Sequence, residues 1–128
     1  MYKTREFEND NMRFEDHGDI LYIWYKDRVF TLDIAKSMVE KRKKFTNHKN
    51  VKVLVMQAGL KGLDKEARAY FSSDEAREGV SAAAILAKNA FERHLANFFI
   101  GITVIRPKVP TRLFTDQSEA IKWLKKQK

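Results

Sequence analysis

An alternation of two kinds of apolar segment constrains the fold of this chain more than any other feature. Two strand-like segments, 12–15 and 20–26, flank the turn-forming residues His17-Gly18-Asp19. The β-branched run Val51 to Met56 and the segment Val80 to Ala87 indicate buried strands, and Arg112 to Phe114 indicates a shorter one. Helical spacing fills the stretches between and after them. The order β-β-α-β-α-β-α-β-α predicts an α/β fold with a mixed sheet of about five strands, mostly parallel.

Polar residues at the expected helix starts support this division. The first helix is predicted to begin after Thr31 and to end near Asn47, with Met38, Arg42 and Phe45 on its apolar stripe. Further starts are predicted at Asp64, at Ser72 in a capping box with Glu75, at Asn89, and at Thr115 or Asp116.

The segment Val80 to Ala87 also fits a helix, because its alanines follow helical spacing from Ala76 onward. Gly79 before it and Asn89 after it are typical stop and start signals. These flanking signals favour a strand.

Length and composition indicate one domain that spans residues 1–128, with the polar segment 1–11 open to fraying. The absence of cysteine excludes disulfides, thiol catalysis and cysteine-based metal sites. The apolar stretch Phe98 to Ile105 is far shorter than a membrane span, and the N-terminus lacks the apolar stretch of a signal peptide. A cytoplasmic location is therefore expected. The net charge of +8 comes from scattered lysines without a recognition motif, which favours a solvated surface over nucleic-acid binding.

The order of elements and several segments of the chain together resemble a known family. The segments are Lys65-Glu66-Ala67-Arg68-Ala69-Tyr70, Ala84-Ile85-Leu86, Arg93-His94-Leu95-Ala96-Asn97-Phe98-Phe99, Pro110-Thr111-Arg112-Leu113-Phe114-Thr115-Asp116 and Glu119-Ala120-Ile121-Lys122-Trp123-Leu124. The order of elements resembles the STAS domain, the SpoIIAA-like fold of bacterial anti-sigma-factor antagonists, and the second half of the chain looks like small uncharacterised bacterial STAS-like proteins. The resemblance covers roughly residues 12 to 126.

The resemblance implies function through protein contact. In STAS antagonists a partner kinase phosphorylates a Ser or Thr at the start of the helix after the central strand. The corresponding stretch here, Gln57 to Asp64, contains neither residue. We therefore expect a STAS-like regulatory or protein-interaction module that is not phospho-switched at the usual position. A small-ligand, anion or lipid-binding domain is the alternative.

Motifs for catalysis are absent from the sequence. His17, His48 and His94 lack metal-binding spacing, and no Gly-x-Ser-x-Gly nucleophile motif occurs. Gly59-x-x-Gly62 lacks the lysine context of a phosphate loop. We expect no enzyme activity, no metal and no cofactor.

One candidate anion site lies where the strand Val80 to Ala87 is predicted to end. Ligands favour the carboxyl ends of parallel strands, and a helix that starts at Asn89 presents free backbone N–H groups there. Lys88 and Arg93 add positive charge, and Arg68 approaches from the preceding helix. In the alternative, Asn89 only caps the helix, Lys88 is solvated, and Arg93 pairs with Glu92 or Asp64.

The helix from Asn89 becomes apolar nearly all round at its end. Phe91, Leu95, Phe98, Phe99 and Ile102 suffice to face the sheet, which leaves Ile100, Val104 and Ile105 on other sides. Core burial accounts for most of these residues. A homodimer that covers the last three is the functional prediction, since a symmetric dimer is the commonest cover for an apolar patch.

Overall fold

The computed structural model describes residues 5–26, 28–58, 62–71, 73–90, 93–94 and 109–127. Its strands are β1 (Glu6–Glu8), β2 (Met12–Asp16), β3 (Ile20–Tyr25), β4 (Val29–Phe30), β5 (Val51–Ala58), β6 (Gly62–Leu63), β7 (Val80–Leu86) and β8 (Thr111–Phe114). Its helices with described bounds are α1 (Leu32–Phe45), α2 (Lys65–Phe71), α3 (Asp74–Arg77) and α4 (Gln117–Lys126).

Six strands form one mixed sheet in the order β1-β2-β3-β5-β7-β8. The pairs β1–β2 and β2–β3 are antiparallel, and β3, β5, β7 and β8 run parallel. This confirms the predicted mixed α/β sheet, with six strands instead of about five. The extra strand is β1, which lies within the segment 1–11 that was expected to be open to fraying. A second, two-stranded parallel sheet pairs β4 with β6.

The two faces of the large sheet bury different apolar clusters. Between the sheet and α1 lie Met12, Phe14, Leu21, Ile23, Val53, Val55 and Ile85, together with Phe30 of β4 and Met38 of α1. Between the sheet and α4 lie Ile20, Leu54, Ala82, Ala84 and Leu86, together with Ala120 and Leu124 of α4. Helices therefore lie on both faces, because consecutive side chains of a strand point to opposite sides and both sets must leave water.

The ambiguous segment is a strand, as its flanking signals predicted. Val80–Leu86 lies between β5 and β8, with Ala84 opposite Leu54 on one side and Arg112 on the other. Ala82 and Ala84 are fully buried beneath α4. Alanine here serves close helix-on-sheet packing, which explains why a buried strand contains residues typical of a helix.

Three of the predicted helix starts have the expected caps. The side chains of Thr31, Asp64 and Asp116 each accept a hydrogen bond from the backbone N–H three residues later. The start predicted at Ser72 is shifted, because the Ser73 hydroxyl accepts from the N–H of Ala76. The sequence left Thr115 and Asp116 as alternative caps of the last helix, and the structure shows that Asp116 is the cap.

Arg42 is a charged residue on the buried side of α1, with 9% of its surface exposed. Its guanidinium donates hydrogen bonds to the backbone carbonyls of Ala76 and Glu78 at the end of α3. Gly79 follows with φ of +89°, a conformation that side chains disfavour. Arg42 therefore connects α1 to the turn that leads into β7.

Candidate functional site

The predicted anion site lies on three exposed residues after β7 and one on α2. Lys88 and Asn89 follow the strand directly, and the Asn89 carbonyl accepts from the Arg93 N–H at 3.0 Å. Ala90, Arg93 and His94 are helical, which places Asn89 at a helix start. The structure therefore brings Lys88, Asn89 and Arg93 to the carboxyl end of β7.

Arg68 lies on a separate element, one turn into α2, where its N–H donates to the Asp64 carbonyl. Its side chain is exposed. Arg68, Lys88 and Asn89 each already interact with another group of the protein. The anion site stays a prediction, and a bound anion has to compete with these contacts.

The predicted dimer contact lies elsewhere in the chain. Ile100, Val104 and Ile105 fall outside the described residues. Self-association through them therefore stays a prediction.

A second surface that can bind a partner is formed by β1, β2 and β3 on the face opposite α1. We name it the β1–β3 face and define it by Glu6, Glu8, Arg13, Glu15, Tyr22 and Trp24. Strand register joins these residues into two rows. Glu15 lies opposite Glu6 and Tyr22, while Arg13 lies opposite Glu8 and Trp24. Alternation along each strand directs these side chains away from the core that contains Phe14 and Ile23.

Arg13 forms ion pairs with three glutamates of this face. Its guanidinium lies 2.6 Å from a carboxylate oxygen of Glu15, 2.8 Å from Glu6 and 3.4 Å from Glu8. Lys26 contacts the second oxygen of Glu8 at 2.6 Å. Three carboxylates thus share two full positive charges, and together they hold the long Arg13 side chain in one orientation.

These contacts lower the pKa values of two glutamates on this face, Glu8 and Glu15. Hydrogen bonds from Arg13, and then from His17, lower the pKa of Glu15. The hydrogen bond from Lys26 is the main cause that lowers the pKa of Glu8. The Glu15 contact in turn raises the pKa of Arg13. Glu8 and Glu15 therefore keep their negative charges to a lower pH than an isolated glutamate would.

Aromatic rings occupy the β3 side of the same face. The His17 ring stacks on Tyr22 with centroids 3.8 Å apart, and Trp24 lies 6.2 Å from Tyr22 at a tilt. The Arg13 guanidinium carbon lies 5.7 Å from the Trp24 ring centre. Tyr22 and Trp24 are half-buried, and Tyr22 also packs against the apolar cluster beneath α4. A protein surface can bind rings and charges arranged in this way.

Sequence reasoning did not identify the β1–β3 face as a site. A signal was available, because Tyr22, Trp24 and Lys26 alternate with the apolar residues Leu21 and Ile23. The segment Asn9-Asp10-Asn11 before Met12 is a turn signal, and Asn9 accepts from the N–H groups of Asn11 and Met12. That turn connects β1 to β2.

Two further features of the described residues concern metal binding and membrane crossing. Across the described ranges, no group of three or more histidine, aspartate or glutamate side chains is placed to hold a metal ion. In the same part of the chain, no helix has both the length and the apolar character needed to cross a membrane.

Comparisons with known proteins define the family and the fold. The model of a domain of unknown function, DUF7793, matches residues 12–128. No curated protein matches the chain. An uncharacterised protein of the DUF3478 family from Shewanella loihica PV-4, described as having a SpoIIAA-like fold, superimposes with a TM-score of 0.58 at 12% identity. The match covers 95% of this chain and 92% of that one.

These findings confirm the predicted resemblance for the fold, whereas the matching family is not the STAS family itself. At 12% identity, the structural match carries no information about ligand or activity. The family model, by contrast, extends over nearly the whole chain. The chain belongs to the DUF7793 family, and its fold is SpoIIAA-like.

Proposed function

We propose that this protein is a non-catalytic protein-interaction module that binds its partner through the β1–β3 face. The observation that carries the proposal is the joint presence there of an oriented arginine and two half-buried aromatic rings. Arg13 is held by three carboxylates and lies over Trp24, with Tyr22 adjacent.

Interface energetics support this choice. Tryptophan, tyrosine and arginine are the residues most enriched among interface positions that dominate binding energy. Because Arg13 already has its carboxylate partners, it loses less conformational freedom on binding than a free surface arginine would. A rigid sheet, rather than a loop, supports all three side chains.

Site-specific photo-crosslinking tests this proposal. A photoreactive phenylalanine analogue replaces Trp24 in one variant and Lys122, exposed on α4, in a matched control. In the native cells, we expect adducts with one defined polypeptide from position 24 and none from position 122. The purified polypeptide should then bind the wild-type protein and bind Trp24→Ala about 30-fold more weakly. Equal crosslinking from both positions, or equal affinity of Trp24→Ala confirmed as folded, would contradict the proposal.

Anion binding at the end of β7 is the second candidate function. Its supporting observation is the start of a helix at Asn89, directly after the strand, with Lys88 and Arg93 within one turn. Inorganic phosphate titrated into labelled protein should shift the amide resonances of Asn89 and Ala90. If surface lysines elsewhere respond while these amides do not, the site does not bind phosphate.

A further inference from the structure

The strand β1 is the last strand on its side of the sheet within the described part of the chain. The Arg5 carbonyl accepts from the Asp16 N–H, and the Asn9 N–H donates to the Met12 carbonyl, both at 2.9 Å. In an antiparallel ladder, alternate residues bond to the same neighbour. Arg5, Phe7 and Asn9 therefore face β2, and the backbone N–H and C=O groups of Glu6 and Glu8 point away from the sheet.

The Glu6 and Glu8 side chains give this edge a charge opposite to that of the whole protein. They are 53% and 49% exposed, although both contact Arg13. Together with Glu15 they contribute three negative charges against the two positive charges of Arg13 and Lys26. The chain as a whole carries +8. An additional cation from a partner can therefore be accommodated at the β1 edge.

The opposite side of β1 differs in character. The Phe7 ring packs among Phe14 and Phe45, with centroids 5.9 and 6.5 Å away. The Lys41 ammonium lies 5.9 Å from the Phe7 ring centre, and the Arg5 guanidinium lies 4.7 Å from that of Phe45. A strand placed beside β1 would meet carboxylates on one face and apolar rings flanked by cations on the other.

Self-pairing of two β1 strands is disfavoured by the same arrangement. An antiparallel pair centred on Phe7 would place Glu6 of each copy opposite Glu8 of the other. Like charges directly across a strand pair are destabilising, and charged residues are a common protection of sheet edges against self-association. The charge pattern therefore disfavours a second copy and favours a basic strand.

We propose that the β1 edge binds an extended basic segment of a partner protein, with cation–apolar–cation alternation, as an additional strand of the sheet. Backbone hydrogen bonds to Glu6 and Glu8 provide affinity, and alternate side chains provide specificity. The cations of the segment lie opposite the two carboxylates, and its apolar residue lies beside Phe7. This inference rests on the proposed function and assigns a chemical class to the partner of the β1–β3 face.

The test uses a capped, fluorescein-labelled Lys-Val-Lys-Val-Lys peptide and anisotropy with the full chain. Two control peptides accompany it. Lys-Lys-Lys-Val-Val has the same composition without the alternation. A Lys-Val-Lys-Val-Lys peptide methylated on the backbone nitrogens of its lysines keeps the charge but loses the strand hydrogen bonds. We expect only the alternating, unmethylated peptide to bind, with shifts of the Glu6 and Glu8 amide resonances. Glu6→Gln/Glu8→Gln should weaken binding about tenfold. The control Asp33→Asn/Glu66→Gln changes the net charge equally at two exposed residues elsewhere and should leave the affinity unchanged.

Three results would overturn the inference. They are no anisotropy change with the alternating peptide, equal binding of the N-methylated peptide, and a wild-type dimer that protects the amides of Glu6 and Glu8 from exchange. If any of these results occurs and crosslinking at position 24 succeeds, the proposed interaction function stands, and the β1–β3 face binds a folded partner surface instead of an extended segment. Failure of the crosslinking together with peptide binding would instead place the function at the edge alone.

Discussion

Arg42 offers the sharpest test of how this fold is held together. The substitution Arg42→Met keeps an unbranched apolar stem of similar shape and removes the guanidinium. The backbone carbonyls of Ala76 and Glu78 then lose their donors at the point where α3 ends and β7 begins. The expected result is a large decrease in the free energy of unfolding from a change in a single side chain.

The magnitude follows from two opposing contributions. A hydrogen bond from a charged donor contributes about 1.5–3 kcal/mol, so two such bonds contribute about 3–6 kcal/mol. Burial lowers the pKa of Arg42, because removing the guanidinium from water disfavours its charged form. Methionine does not carry that desolvation cost, which offsets part of the loss. We expect the free energy of unfolding to fall by about 3 kcal/mol, equivalent to about 10 °C in Tm for a chain of this length.

Urea unfolding followed by circular dichroism and tryptophan fluorescence measures this change. Arg42→Lys, whose single ammonium reaches one carbonyl, should lose about half as much. Lys44→Met is the matched control, since Lys44 is exposed on the same helix and pairs with Glu40 at 3.1 Å, and it should cost at most about 0.5 kcal/mol. If Arg42→Met is no less stable than Lys44→Met, the two carbonyls do not depend on the guanidinium and the reasoning is refuted.

Two further predictions concern the α4 cap and the β1–β3 face. Asp116→Ala should lower the free energy of unfolding by about 1 kcal/mol in urea titrations, because its carboxylate caps α4. Thr115→Ala should leave it unchanged, and equal losses would show that Asp116 does not act as the cap. The free energy of unfolding should also fall as the pH drops below about 4.5, the ordinary pKa of a glutamate. The pKa values of Glu8 and Glu15 are lowered in the folded protein, so their stabilisation is complete above the unfolded pKa and is lost on protonation. Arg13→Gln should flatten this dependence in urea titrations repeated between pH 3 and pH 6, and an unchanged slope would contradict it.

The sequence determined the features that depend on neighbours along the chain. Caps at Thr31, Asp64 and Asp116 act on N–H groups three residues away. Residue types alone therefore predicted the first two starts and left the last one between Thr115 and Asp116. Gly79 and Asn89 separated the strand Val80–Leu86 from the helices on either side. Ser72 and Ser73 are adjacent residues of the same type, and both are typical helix caps. The sequence therefore located the start of α3 only to within one residue.

Only the tertiary structure decided the features that require contact between distant segments. Arg42 fits the apolar stripe of α1, but its role depends on two carbonyls 34 and 36 residues away. The β1–β3 face exists because strand register brings Glu6 and Glu8 beside Arg13, and Arg13 beside Trp24. The short strand β1 has too few apolar residues to be recognised without its pairing to β2. Local propensity acts over a few residues, whereas strand pairing and burial act across the whole fold. For this reason the sequence predicted the longer strands and the helices, while only the tertiary structure brought the residues of the β1–β3 face together.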